Sequence, residues 1–157
     1  MTIHRLFSKD PNDEEENVTQ NIYVFRFILF CIIVYSFEML LNSVDIFIVD
    51  KTIFTRGYVT GCLFAAVYVL ILLHLGLEHP LTKYVSITAV SLIIMAASVS
   101  LTYHMIIIIM MPIIIAGMYT SKQLSIYTFV FTVLSIIIST YAGYYYGAVS
   151  YTHLTLP

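Results

Sequence analysis

Glu38, Asn42 and Asp45 stand at i, i+4 and i+7 within an apolar run, so a helix would gather them into one polar stripe. Polar and charged groups in such a run are costly and are functional suspects by default. Two carboxylates and an amide, joined by His104 from a later segment, would line a water-filled cup that takes a small ligand or a cation from outside. The same stripe would equally serve as hydrogen bonding between helices that locks a bundle. Arg26 lies near the start of that run, and His74 and Glu78 fall near the end of the next. On antiparallel helices these three would share a depth and form a structural ion pair; the other reading is an Arg26 head that snorkels to the interface along its own stem. Arg26 cannot pair with Glu38, because about 1.5 Å of rise per residue sets them roughly 18 Å apart.

No catalytic signature occurs, and neither a cofactor nor a metal is expected. His74 and His79 point to different faces of a helix, and His104 is expected at the opposite membrane surface, whereas metal ligands must converge to about 2 Å. Cys31 and Cys62 lack CxxC spacing and read as small core residues. Met110 and Met111 read as packing surface, not as copper ligands.

The elements that must position these residues are membrane crossings. Of the 157 residues, 60% are hydrophobic and 10% charged, far from the roughly one quarter charged of soluble domains. The sequence predicts an all-α, polytopic transmembrane helical bundle with the lipid bilayer as its main partner. A net charge of −2 without a basic cluster argues against nucleic acid. Residues 1–21 read as a disordered cytoplasmic tail, with Asp13-Glu-Glu-Glu16 where a signal peptide would be apolar. Residues 22–148 form the transmembrane domain, with crossings expected at 22–44, 57–76, 84–101, 105–119 and 123–147. Pro80 ends the second crossing, and Pro112 kinks the short, isoleucine-dense fourth. The third, rich in Ser, Thr and Ala, is expected to be the most buried, because small residues allow close backbone approach in lipid.

Arg5, Lys9, Lys83 and Lys122 outweigh Lys51 and Arg56 across alternate connections, which predicts a cytoplasmic N-terminus in the plasma membrane. Tyr23, Tyr58, Tyr84, Tyr103, Tyr119 and Tyr144 near successive ends read as aromatic belts. Gly57 to Gly61 and Gly143 to Gly147 are small-xxx-small motifs that would suit a homodimer. Val149-Ser-Tyr-Thr-His-Leu-Thr-Leu-Pro157 looks like a translated sequencing-adapter artefact. On that expectation, residues 149–157 are not a biological terminus and a sixth crossing has been lost.

Leu77-Glu-His-Pro-Leu-Thr-Lys-Tyr84, Tyr103-His104, Met111-Pro112, Tyr119 and Tyr141-Ala-Gly-Tyr-Tyr-Tyr-Gly147 together resemble the N-terminal membrane region of multi-pass signalling proteins of anaerobic Gram-positive bacteria. The resemblance implies a six-helix sensory input module ahead of a cytoplasmic output domain, most often a GGDEF diguanylate cyclase, and an unknown extracytoplasmic small ligand. Two other readings stay open, a fragment of a small-solute or ion transporter and a non-catalytic membrane scaffold.

Overall fold

Lipid offers backbone N–H and C=O groups no partner, so an apolar chain must bond within itself. A computed structural model describes residues 16–46, 50–101 and 106–145, and among them every regular element is a helix. These are α1 (Glu16–Ser43), α2 (Lys51–Leu75), α3 (Thr82–Leu101), α4 (Ile106–Ile109), α5 (Met111–Gly117) and α6 (Lys122–Tyr145). Four of them, α1, α2, α3 and α6, are long and apolar enough to cross a membrane. The protein is an all-α helical bundle.

Three boundaries differ from expectation, each for a local reason. Helix α1 begins at Glu16, so residues 16–21 belong to the bundle and not to a solvated tail. The stripe Val18, Ile22, Phe25 is buried at i, i+4, i+7 and carries the helix a turn beyond the purely apolar run. Helix α2 begins at Lys51 instead of residue 57, because Asp50 caps it by accepting from the Thr52 and Ile53 amides at 2.9 and 3.0 Å. It ends at Leu75, five residues before Pro80, where Gly76 takes φ +83°. A residue with a Cβ is strained there, so Gly76 and not Pro80 sets that end. The turn is closed by the Thr82 hydroxyl, which donates to the Gly76 carbonyl at 2.7 Å.

Neighbour pairs fix the threading. Tyr35 packs edge-on against Phe54 and Tyr58, each with ring centroids 5.4 Å apart, and Phe25 packs against Tyr68, so α1 and α2 are antiparallel. Tyr68 reaches Ser86 while Gly61 faces Ala96, which makes α2 and α3 antiparallel too. Tyr84 packs on Tyr127, and Gly143 lies against the Val99 carbonyl, so α3 and α6 run parallel. Parallel neighbours need a return path between them, and the broken pair α4–α5 supplies it. Among the described residues four long helices thus run the length of the bundle, and the far shorter α4–α5 lies in sequence between the end of α3 and the start of α6. Residues 102–105 lie outside those described.

Helix α3 is the centre of the bundle. In its membrane-length window 61% of residues are buried, against 17–28% in the other three long helices, as its small residues led one to expect. Gly61 is buried between Tyr35 and Ala96, and Gly143 beside Val99, so both glycines serve packing within the chain. Helix α6 turns Thr128, Thr132, Ser135, Ser139 and Gly143 inward, and its large apolar residues outward.

Candidate functional site

The residues expected to form the cup lie at the end of α1 where it meets the start of α2. Asn42 is 2% exposed, and Glu38, one turn earlier, is half-buried. Asp45 leaves the stripe: α1 ends at Ser43, Asp45 adopts φ +61°, and its carboxylate pairs with Lys51 at 2.7 Å on the exposed surface. A helical i+7 position is therefore not what places Asp45, and a pair so exposed adds little stability. His104 lies outside the described residues. What stands is a buried amide with a carboxylate one turn from it, near an end of the bundle.

At the opposite end, Arg26 is half-buried, while His74 and Glu78 are exposed in the last turn of α2 and the turn beyond it. They lie at the same end of antiparallel helices, as their spacing implied. His79 uses its ring instead to accept from the Leu81 amide at 3.2 Å, a turn-forming role. Among the described residues no three His, Cys, Asp or Glu side chains could hold a metal ion.

That same end holds a polar cluster which the sequence did not announce. Asn21, 1% exposed, donates to the Leu77 carbonyl at 2.8 Å and accepts from the Tyr119 hydroxyl at 2.8 Å. The Gln20 amide donates to the Met118 carbonyl. Nearby, the Tyr68 hydroxyl and Ser86 Oγ are 3.1 Å apart. Burial pushes the Tyr119 phenol well above its ordinary range, so it remains a neutral donor. Tyr119 was expected in an aromatic belt, yet it is buried, whereas Tyr23 and Tyr144 are exposed as belt residues are. The apolar i, i+4 pair Val18 and Ile22 was the available clue that Gln20 and Asn21 are inside a helix. Amides lack a formal charge, and Asn21 is buried with both of its ends bonded.

Midway along the bundle, Ser91, Ile94 and Met95 of α3, Ile109 and Pro112 of the broken pair, and Thr132 and Ser135 of α6 line a narrow cleft. It is too tight to admit a water molecule. Pro112 does break the fourth segment, as expected: α4 stops at Ile109, and the Ile113 amide turns to the Met110 carbonyl at 3.0 Å. No family model, curated protein or solved structure matches this chain, so its function has to be read from the bundle itself.

Proposed function

We propose that this chain is the membrane-embedded input domain of a multi-pass signalling protein, which controls a cytoplasmic diguanylate cyclase domain of the GGDEF class. It sits in the plasma membrane with Met1 on the cytoplasmic side. The observation that carries this reading is Asn42, buried in an apolar bundle one turn from the half-buried Glu38. Lys83 and Lys122 lie at the Asn21 end and Lys51 and Arg56 at the Asn42 end, which supports the orientation. On that orientation, Glu38 and Asn42 face an extracytoplasmic ligand. Such a ligand changes the output only by binding one packing of the helices better than another.

The test uses the full-length protein in membranes, with cyclic di-GMP formation as the readout. Glu38→Gln and Asn42→Leu are expected to change the output by about 5- to 150-fold, the usual span of coupling between sites. An output blind to both substitutions overturns the reading. The break at Pro112 favours a second reading, since transporters place interrupted helices at the midplane of the membrane. Solute or ion uptake by vesicles holding the full-length protein would replace signalling with transport.

A further inference from the structure

A tyrosine at a membrane interface ordinarily turns its hydroxyl to water and its ring to lipid. Tyr127 does not. Thr88 gives its one proton to the Tyr84 carbonyl at 2.8 Å, so the Tyr127 hydroxyl is the donor in its 2.7 Å bond to Thr88 Oγ1. Its side chain is thereby anchored at both ends, while the ring stays on the outer face of the bundle at 36% exposure. Tyr84 braces that ring edge-on, with centroids 5.5 Å apart, and Phe131 stacks on it at 5.9 Å. Lys83 completes the row, its ammonium 5.7 Å from the centroid of the Tyr84 ring. A braced aromatic wall thus bridges α3 and α6 on the lipid side, with a cation at its edge.

The first turns of both helices carry cations and no acids. Because α3 and α6 are parallel, Lys83, the second residue of one, and Lys122, the first of the other, stand at the same end of the bundle. Neither helix has an acidic residue in its first turn, and neither lysine is in an ion pair among the described residues. Beyond the ring, Val130 and Leu134 continue from Tyr127 at i+3 and i+7 as an exposed apolar stripe. We propose that this wall is a binding site for an anionic phospholipid of the leaflet at that end. The headgroup phosphate lies at the Lys83 ammonium, within the field of Lys122, and an acyl chain runs along Tyr127, Val130 and Leu134. A zwitterionic lipid offers the same chains, but its own ammonium offsets the phosphate, so the lysines select the lipid of net negative charge. The site serves a signalling or a transporting chain alike, and so stands apart from the input-domain reading.

The test is native mass spectrometry of the full chain in mixed micelles, with phosphatidylglycerol and phosphatidylcholine of identical acyl chains competing at equal concentration. The parent is expected to retain phosphatidylglycerol in preference. Lys83→Gln should lower that preference about fivefold, the effect of one lysine near an anionic surface. Lys51→Gln, at the opposite end of the bundle, should leave it unchanged. Tyr127→Ala removes the wall and should lower retention of phosphatidylglycerol even with both lysines present. Glycerol 3-phosphate, which has the charge without the chains, should not displace the lipid. Equal retention of the two lipids by the parent, equal losses from Lys83→Gln and Lys51→Gln, full retention by Tyr127→Ala, or displacement by glycerol 3-phosphate overturns the site. Should Tyr127→Ala fail to fold, the two lysine variants decide the matter by themselves.

Discussion

An amide inside an apolar bundle is costly wherever its donor or its acceptor is left unengaged. Asn21 engages both, with the Leu77 carbonyl and the Tyr119 hydroxyl, and so joins α1 to two turns far away in sequence. Asn21→Ala leaves both of those partners bare and is expected to cost about 1–3 kcal/mol in a detergent unfolding titration. Tyr119→Phe removes one bond, and a double-mutant cycle of the two should show coupling of about 0.6–1.7 kcal/mol. Additive effects would mean that the two residues do not act together. Composition hid this residue: Asn21 closes a polar stretch, and hydropathy alone assigns such a stretch to a tail. Glu38 and Asn42 were legible because they interrupt an apolar run. Asp45 was misplaced because helical spacing holds only while the helix lasts, and α1 stops two residues short of it.

At the scale of elements, close approach in lipid depends on what small residues leave open. A Cβ added at Gly61 would lie 3.4 Å from the Tyr35 ring and 4.0 Å from Ala96, ordinary contact distances. Gly61→Ala is therefore expected to be nearly neutral, whereas Gly61→Leu overfills the α1–α2–α3 junction and should cost about 1–3 kcal/mol by the same titration. Similar losses for both variants would place the junction elsewhere. The burial of α3 was readable from its density of Ser, Thr and Ala, and the break before α5 from Pro112. Helix starts were not readable to better than a turn. They are set by single groups such as the Asp50 carboxylate, whose capping bonds leave no trace in hydropathy.

For the whole molecule, the antiparallel α2–α3 pair and the parallel α3–α6 pair put Lys122 and Lys51 at opposite ends. In a background without Cys31 and Cys62, a membrane-impermeant maleimide added to intact cells should label Lys51→Cys and spare Lys122→Cys. Labelling of both from one side would mean that α4–α5 does not carry the chain across. That segment has one further consequence. From Ile106 to Gly117 it covers only about 18 Å at helical rise, against a hydrocarbon core of about 30 Å, and Ile108, Met110, Ile114 and Met118 are exposed on its outer face. Lipid tails meeting this short flank must splay or compress, so bilayer thickness becomes a mechanical input to the fold, and thinner acyl chains should draw the broken segment and its neighbours into a different tilt.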